Sequence, residues 1–239
     1  MMLLLDVGNS RIKPALWDGT HLHAHPALAH GGQPAAALEA VPAMAPAAVW
    51  IASVTGAAHE QQLDASIRRR FGVAPRFART EQARDGLRVA YSDPARLGVD
   101  RWLMMLALWR ELRGPFGVAA AGTALTFDAV DAGGQHLGGF IAAGLAAQSQ
   151  AVLGATRFPT RSLDAPYAEG LGADTEACVR QGALFAGAGA LERAARRHAN
   201  GPRFLCGGDA ELLLPHLDQP WTLRPQLVLE GLLACAQGA

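Results

Sequence analysis

The sequence predicts an α/β protein made of two similar halves with a cleft between them. The chain opens with a short apolar strand that runs into a glycine-containing turn, DVGNS, and then into a second apolar strand. This pattern restarts near residue 115, where FGVAAAG runs into a Gly-Thr turn. Each start is followed by segments of helical character, so we divide the chain into residues 1–114 and 115–239.

Composition and charge narrow the classes of function. The chain has 239 residues, of which 50% are hydrophobic and 18% charged, as is typical of one large or two small globular domains. Its 21 basic and 21 acidic side chains balance, so no long-range field attracts nucleic acid or anionic lipid. We interpret the arginines at 68–70 as the solvated end of a helix. We therefore expect no nucleic-acid partner and no membrane partner.

The cysteines and the apolar runs indicate a cytoplasmic protein. Cys178, Cys206 and Cys235 lie far apart without CxxC spacing, which favours neither a disulfide framework nor a zinc site. The first apolar run reaches Asp6 too early for a signal peptide. The run from 116 to 130 breaks at Asp128, well short of a membrane span. We expect a reducing, cytoplasmic compartment.

The first element is a β-hairpin formed by LLLD and RIKPALW. Proline cannot donate to a ladder, so we expect an edge or a bulge at Pro14. Beyond it, His21, His23 and His25 alternate as on one face of a strand. No carboxylate or cysteine completes a metal site there, so we favour an exposed strand edge.

The rest of the first half predicts a helix within 34–48, a strand at 48–54 and a helix at 59–72 that ends at Gly72. His59 and Glu60 resemble the start of an HExxH motif, but Leu63 replaces its second histidine, which excludes a zinc protease of that type. The apolar segment 94–114 predicts one helix or two.

The second half predicts three strands, FGVAAAG, TALTFDAVD and HLGGFIAAG, and then the helix LAAQSQAVLGA. A long helix begins near ADTEACVRQ, and we interpret Gly187 and Gly189 within it as sites of close helix packing. A strand at 202–209, a short helix ending at Pro215, a strand-like WTLRP and a last helix from about Gln226 complete the chain.

The first strand turn has the groups that phosphoryl transfer needs. A Walker A loop is excluded because it needs Gly-Lys and the only lysine, Lys13, follows isoleucine. A dinucleotide-binding fingerprint is excluded because no GxGxxG follows a strand. Instead Asp6 ends a strand, Gly8 opens a turn that exposes N–H groups, and Lys13 supplies a cation. These groups stabilise the negative charge of the transition state, and Asp6 suits a Mg²⁺-bound water. A plain hairpin turn is the alternative.

Two further loops carry similar signals. The segment 121–128, AGTALTFD, places a glycine and hydroxyls at a strand turn, although threonine is common in strands. The segment 207–210, GGDA, lets a nucleotide approach the backbone at a helix start, with Asp209 as a simple N-cap being the equal alternative. Three such loops in one chain favour a phosphate-binding function.

The order of these motifs resembles that of the type III pantothenate kinases, which belong to the superfamily of acetate and sugar kinases, chaperone ATPases and actin. The resemblance covers essentially the whole chain and rests on DVGNSRIK, Tyr91, GVDR at 98–101, GTALTFD at 122–128, GGFIAAG at 138–144, ADT at 173–175 and GGDA. It implies two actin-like, ribonuclease H-like halves and the ATP-dependent phosphorylation of pantothenate, the first step of coenzyme A synthesis.

The resemblance also implies a role for each motif. Asp6 to Lys13 would hold the β- and γ-phosphates with Mg²⁺, and Thr123 would donate to the γ-phosphate. Asp128 would serve the phosphate site or cap the second hairpin. The implied ATP- and phosphate-binding residues are Asp6, Val7, Gly8, Asn9, Ser10, Arg11, Ile12, Lys13, Gly122, Thr123, Gly207, Gly208 and Asp209.

The implied general base is Asp100, which would take the proton of the pantothenate hydroxyl. Arg101 would bind the pantothenate carboxylate or the phosphates, or alternatively close the helix start as a salt bridge. Thr175 would reach the pocket from the second subunit of a homodimer. The implied pantothenate-binding residues are Tyr91, Gly98, Val99, Asp100, Arg101 and Thr175.

Two positions depart from the family pattern. Many members carry an aspartate for an activating K⁺ or NH₄⁺ where this chain has Ala120, so we expect a weaker dependence on monovalent cations. The family usually has proline where this chain has Ala143, and its absence loosens the interface loop.

Two other functions are weighed against the kinase. A regulatory or transcription-accessory protein of the same fold is disfavoured by the intact Asp6, Lys13, Asp100 and Thr123 and, for direct DNA binding, by the zero net charge. Another superfamily member, such as a small-sugar kinase or polyphosphatase, leaves GVDR and Tyr91 without a purpose.

Overall fold

The structure is a computed structural model, and it describes residues 1–42, 44–157, 167 and 170–238. The chain forms two compact units, one of Met1–Arg113 with Gln226–Ala239 and the other of Gly114–Pro225. The similarity of the halves predicted from the sequence is confirmed in the two sheets.

The first unit contains, in chain order, β1 Met2–Val7, β2 Arg11–Trp17, β3 Leu22–Ala24, β4 Leu28–Ala29, α1 Pro34–Ala37, a 3₁₀ turn Leu38–Ala40, β5 Ala48–Ser53, α2 Ala57–Phe71, β6 Pro75–Phe77, β7 Ala83–Arg84, β8 Leu87–Arg88, a 3₁₀ turn Pro94–Arg96 and α3 Val99–Leu112.

The second unit contains β9 Phe116–Ala121, β10 Ala124–Val130, β11 His136–Ala143, α4 Leu145–Ala155, α5 Thr175–His198, β12 Arg203–Cys206, α6 Ala210–Leu213, a 3₁₀ turn Leu214–His216 and β13 Thr222–Leu223. The last helix, α7 Leu227–Gln237, returns to the first unit.

The two main sheets share one strand order. In the first sheet the order is β3-β2-β1-β5-β6, with β4 also paired to β2, and in the second it is β11-β10-β9-β12-β13. In both, the first strand pairs antiparallel with the second and parallel with the fourth. The carboxyl ends of the two parallel neighbours therefore meet at one sheet edge, where ligands of α/β proteins bind.

Alternation along β1 separates two faces of the first sheet. Leu3, Leu5 and Val7 pack with the side chains of α2 in one core cluster. Leu4 and Asp6 consequently point to the opposite face, on which α7 packs against β1. Asp6 is thus held at the end of an otherwise apolar strand.

The carboxyl-terminal segment corrects the division made from the sequence. We assigned residues 115–239 to the second half, but α7 packs against α3 of the first unit. A Cβ at Gly231 would lie 2.0 Å from the carbonyl oxygen of Leu103, so this glycine permits the close approach of the two helices. This contact buries the apolar side chains of α7. The local sequence pattern does not indicate which unit the helix packs against.

The hairpin of β1 and β2 is confirmed, with Asp6 opposite Lys13. Pro14 is neither on an edge strand nor at a bulge of this ladder. Instead, the ladder on the other side of β2 is interrupted there, because β4 pairs with Arg11 and Ile12 and β3 begins pairing at Ala15. Proline therefore occupies a position where no N–H is required.

The histidine-rich segment lies at the sheet edge, as predicted. His21 precedes the short β3, and His23 lies within it and contacts the Asp18 carboxylate at 2.7 Å. In the part of the chain that the structure describes, no three histidine, cysteine, aspartate or glutamate side chains form a metal-binding group. No helix there has both the length and the apolar composition that crossing a bilayer requires.

Candidate active site

The turn between β1 and β2 carries the predicted phosphate-binding residues of the first unit. It is closed by the Gly8 N–H, which donates to the Arg11 carbonyl at 3.0 Å. Asn9, Ser10 and Arg11 are exposed, whereas Val7 and Ile12 are fully buried in the core. Only the backbone groups of Val7 and Ile12 are therefore available to a ligand, and their side chains secure the turn.

Asp6 and Lys13 form an ion pair beside this turn. Their Oδ2 and Nζ atoms lie 3.6 Å apart, and the Asp6 side chain is only 11% exposed. Burial raises the pKa of Asp6 to about 6, Lys13 opposes that rise, and the negative charge of Asp100 adds to it. The structure thus brings the Asp100 carboxylate into repulsive range of Asp6, which is itself paired with the Lys13 ammonium group.

The amino end of α3 positions Asp100. Gly98 is the N-cap residue, and the Arg101 N–H donates to Asp100 Oδ1 at 2.9 Å. A Cβ at Gly98 would lie 2.6 Å from that same oxygen. A glycine is therefore required before Asp100 if the carboxylate is to keep this orientation.

The predicted partners of Asp100 lie next to it in the fold. Arg101 is 3% exposed, and its guanidinium donates to the Tyr91 hydroxyl at 3.3 Å. Tyr91 and Gly98 are half-buried, but the Val99 side chain belongs to the core. The structure therefore joins Tyr91 to the GVDR motif, and it leaves only the backbone of Val99 for a ligand.

In the second unit, three loops converge at the carboxyl ends of β9, β11 and β12. The Asp209 N–H donates to the Ala121 carbonyl at 3.0 Å, and the Gly144 N–H donates to the Thr123 carbonyl at 3.1 Å. Within the described residues, Asp209 stands at the N-cap of α6 without a side-chain capping bond. The Gly-Thr turn and the GGDA loop, which we singled out from the sequence, are therefore neighbours.

Glycines permit this convergence. A Cβ at Gly144 would lie 1.8 Å from the Gly122 carbonyl oxygen, and one at Gly207 would lie 2.0 Å from the Ala121 carbonyl oxygen. Gly207 also has a φ of +102°, which other residues rarely adopt. Thr123 and Gly208 are exposed at this junction, so their polar groups are accessible to a ligand.

Other predicted positions lie elsewhere in the second unit. Asp128 is fully buried and contacts His136 Nε2 at 2.9 Å across the β10–β11 hairpin, beside a register shift at Ala129 and Val130. Asp128 thus tethers the second hairpin, which is the alternative to a role in the phosphate site. Thr175 begins α5 and lines a cavity of about 690 Å³.

The two helix glycines of α5 differ from each other. A Cβ at Gly187 would lie 3.1 Å from the Leu145 side chain, which confirms close packing with α4. At Gly189, no atom of the described residues outside the neighbouring helix backbone lies within 4 Å of such a Cβ, so the packing role predicted for it is wrong within the part of the chain that the structure describes.

Two groups at the first turn were missed by the sequence reasoning. Ser53 ends β5 in register with Val7, and its hydroxyl lies 3.0 Å from that of Thr55. His30 contacts the Gly8 carbonyl oxygen at 2.9 Å. The parallel pairing of a second strand with β1 is the signal by which Ser53 could have been found; His30 has no local signature.

Solved structures of similar fold place the chain in a class. A protein from Campylobacter jejuni assigned to the Baf family of transcriptional activators aligns with a TM-score of 0.62 at 18% identity, covering 99% of this chain and 98% of the other. Component A of (R)-2-hydroxyglutaryl-CoA dehydratase from Acidaminococcus fermentans aligns with a TM-score of 0.54 at 15% identity, covering 100% and 96%. At these identities the likeness shows the fold alone, which is the duplicated actin-like α/β fold.

Sequence comparison then identifies the family. The sequence model of type III pantothenate kinases matches residues 2–197. A type III pantothenate kinase of Xanthomonas campestris pv. campestris strain B100 is 41% identical over 240 residues, which cover 98% of this chain and 96% of the relative. The chain belongs to the type III pantothenate kinase family.

Proposed function

We propose that this protein transfers the γ-phosphate of ATP to the primary hydroxyl of pantothenate, giving 4′-phosphopantothenate in the first step of coenzyme A synthesis. Its family membership supports the reaction. The observation that carries the assignment is the placement of Asp100 at the amino end of α3, within electrostatic range of Asp6 and Lys13. Because the reaction consumes ATP, we place it in the cytoplasm.

Asp6 and the turn after it would receive the phosphates. The pKa of Asp6 is raised mainly by burial and further by the negative charge of Asp100, and the positive charge of Lys13 does not fully offset these two effects. This environment fits a hydrated Mg²⁺ that takes its remaining ligands from water and phosphate, as Mg²⁺ usually does. Bound there, Mg²⁺ would supply positive charge to the phosphate oxygens, and Lys13 would add a second cation. Asn9 and Ser10 present exposed polar groups at the same turn.

Asp100 would act as the general base. Its carboxylate is oriented by the Arg101 N–H and by the absence of a side chain at Gly98. A carboxylate so held can accept the proton of the hydroxyl, which moves to a carboxylate oxygen of Asp100, as the hydroxyl oxygen bonds to the γ-phosphorus and the bond from that phosphorus to the bridging oxygen breaks, releasing ADP. The Arg101 guanidinium and the Tyr91 hydroxyl, which contact each other, would bind the pantothenate carboxylate and polar groups.

The second unit would bind the rest of the nucleotide. The exposed Thr123 hydroxyl would donate to the γ-phosphate, while Gly122, Gly207, Gly208 and Asp209 would face the adenosine. The close packing of the glycine loops supports this assignment, because a loop without side chains lets a ligand approach backbone N–H groups.

A homodimer is part of the proposal. Several large apolar side chains of the second unit are exposed, among them Leu137 and Ile141 on the edge strand β11, Val152 on α4 and Phe185 on α5. Ile141 is 65% exposed and Phe185 is 48% exposed, which is unfavourable in a monomer. In the dimer, Thr175 would reach the pantothenate pocket of the other subunit. Phe185→Glu should yield monomers in analytical ultracentrifugation, and an unchanged dimer would contradict this interface.

The alternative of a non-catalytic regulatory protein has little support. The chain shares only 18% identity with the Baf family protein. Identity at this level supports a common fold and does not support a common role in transcription. Asp6, Lys13 and Asp100 are all present, with Asp6 paired to Lys13 and within electrostatic range of Asp100, which a protein without kinase activity does not require.

The decisive experiment is a direct assay of the product. Purified protein is incubated with pantothenate, ATP and Mg²⁺, and phosphopantothenate is detected by mass spectrometry, with Asp100→Asn as the matched control. We expect product from the wild type and at least about 100-fold slower formation of product by the variant. Absence of product from the wild type, with a sugar phosphorylated instead, would assign the chain to another kinase activity.

A further inference from the structure

His30 is a buried histidine that contacts the turn between β1 and β2. It follows β4 directly and is only 8% exposed. Its ring Nε2 lies 2.9 Å from the Gly8 carbonyl oxygen, and its backbone N–H donates to the Ser10 carbonyl at 3.2 Å. One residue therefore ties both ends of the Gly8–Ser10 turn to the chain that precedes α1.

The partners of the ring determine which nitrogen carries the proton. The Gly32 N–H lies 3.1 Å from His30 Nδ1, and because a backbone N–H can only donate, Nδ1 must be the acceptor. The Gly8 carbonyl oxygen can only accept, so Nε2 must carry the hydrogen. The neutral Nε2–H form satisfies both partners, and neither the other tautomer nor the imidazolium does.

The second unit repeats the backbone part of this arrangement. Ala29 pairs with Arg11, the first residue of β2, and Ala143 pairs with Ala124, the first residue of β10. The next residues, His30 and Gly144, donate their N–H groups to the last residue of the corresponding turn, Ser10 or Thr123. Closure of the turn by this N–H is therefore a feature of the repeated scaffold, and only the first unit adds a side-chain hydrogen bond.

We infer that His30 is a positioning residue for the triphosphate, acting through the Gly8–Ser10 turn. The inference rests on the proposed function, in which this turn receives the β- and γ-phosphates. The Nε2–H bond holds the Gly8 carbonyl toward His30, which sets the orientation of the adjoining peptide groups and of the exposed Asn9 and Ser10. A displacement of about 1 Å in such a turn is enough to lower a rate about 100-fold.

Two conservative variants separate the two ring nitrogens. In His30→Gln, the side-chain amide nitrogen occupies a place similar to Nε2 and can still donate to the Gly8 carbonyl. In His30→Asn, the amide oxygen matches Nδ1 and accepts from Gly32, but the bond to Gly8 is lost. We expect His30→Asn and His30→Ala to raise the KM for ATP about tenfold or more, His30→Gln to stay within about threefold, and the KM for pantothenate to change little.

Ile67→Val provides the control for a loss of stability alone. Ile67 is fully buried in the core of the first unit, so the variant should lower the Tm and leave the KM for ATP unchanged. Long-range ¹⁵N NMR of the histidine rings should show His30 protonated at Nε2. An Nδ1-protonated ring, or equal KM values for the Gln, Asn and Ala variants, would overturn the inference.

Direct titration with a non-hydrolysable ATP analogue keeps this result apart from the proposed reaction. If the analogue binds with the predicted order of affinities but no phosphopantothenate forms, the inference stands and the proposed function fails. If phosphopantothenate forms but the variants bind the analogue like the wild type, the proposed function stands and the inference fails. A wild type that binds no nucleotide would overturn both.

Discussion

The first turn of each unit occupies the same place in its sheet, but the two turns carry different side-chain chemistry. In the first unit, Asp6 stands one residue before the end of β1 and faces Lys13 on β2. The corresponding pair in the second unit is Ala120 on β9 and Thr126 on β10. One copy of the scaffold thus carries an ion pair at the place where the other carries a methyl group and a hydroxyl group.

The residues that close the turns differ in the same sense. His30 in the first unit sends a ring to the Gly8 carbonyl, whereas Gly144 in the second unit packs so closely on Gly122 that any side chain would collide with it. The first unit therefore supplies charged side chains, and the second supplies bare backbone. A phosphoryl transferase needs both, because charge must be neutralised at the reacting phosphate and the remainder of the nucleotide must be held.

The largest expected effect concerns the charge at the start of α3. Asp100→Asn keeps the side-chain shape and removes the general base, so we expect kcat to fall about 10²- to 10⁴-fold. The variant also removes the negative charge that helps to raise the pKa of Asp6. Steady-state kinetics with ATP and pantothenate measure the loss, and full activity in this variant would remove Asp100 from the mechanism.

The burial of Asp6 in the first unit predicts a pH dependence of stability. Because the folded state raises the pKa of Asp6 from 3.8 to about 6, its contribution to folding is fully present below pH 3.8 and is lost as the pH rises through 6. The shift corresponds to on the order of 3 kcal/mol in the free energy of unfolding.

Asp6→Asn cannot titrate at this position and serves as the reference. Both proteins are unfolded with urea in the absence of Mg²⁺ and nucleotide, at assay pH values from about 4.5 to 7.5 that span the pKa of about 6. The free energy of unfolding of the wild type should fall relative to that of the variant as the pH rises. Parallel curves for the two proteins would mean that burial does not perturb Asp6.

Gly98→Ala tests whether the glycine at this position leaves the space that the Asp100 carboxylate needs. The φ of −52° suits alanine, so the fold should be preserved, but the new Cβ would lie 2.6 Å from Asp100 Oδ1 and must displace the carboxylate. We expect kcat to fall about 10- to 100-fold, with the free energy of unfolding within about 0.5 kcal/mol of the wild type. If the fall in kcat is accompanied by a comparable fall in the free energy of unfolding, Gly98 has a structural role only.

Much of this architecture could be predicted from local sequence. The hairpin β1–β2 and its repetition at β9–β10 follow from strand patterns and turn residues, as does the end of α2 at Gly72. The turn residues of the candidate site were found for the same reason, since Gly8 and Gly122 stand where apolar strands end.

The rest depends on contacts between residues distant in sequence. The return of α7 to the first unit is decided by the approach of Gly231 to Leu103, and the pairing of Asp128 with His136 by a register shift between two strands. His30 is one of several histidines in its segment, and only the pairing of β4 with β2 brings it to the turn. No periodicity in the sequence marks such contacts.

Gly144→Ala tests the backbone chemistry of the second unit. Its Cβ would lie 1.8 Å from the Gly122 carbonyl oxygen, so the turn must move. We expect the free energy of unfolding to fall by about 1–3 kcal/mol and the KM for ATP to rise. Gly154→Ala is the matched control, because no described residue outside the neighbouring helix backbone has an atom within 4 Å of its Cβ and alanine favours the helix. If Gly144→Ala behaves like Gly154→Ala, the glycine loops do not require their close packing.

The smallest expected effect concerns the methyl group at the position that corresponds to Asp6. Ala120 lies opposite Thr126 and beside Cys206 in the sheet, and none of these three side chains carries a carboxylate that could hold a monovalent cation. We therefore expect turnover in potassium and in sodium buffers of equal ionic strength to differ by less than about twofold, a difference of under about 0.5 kcal/mol in the barrier.

Ala120→Asp would give the second unit the charge that the first unit has at Asp6, and it should make turnover depend on potassium. A steep requirement for potassium in the wild type would show that the second unit binds a cation through other groups, and the contrast between a charged and an uncharged turn would then no longer hold.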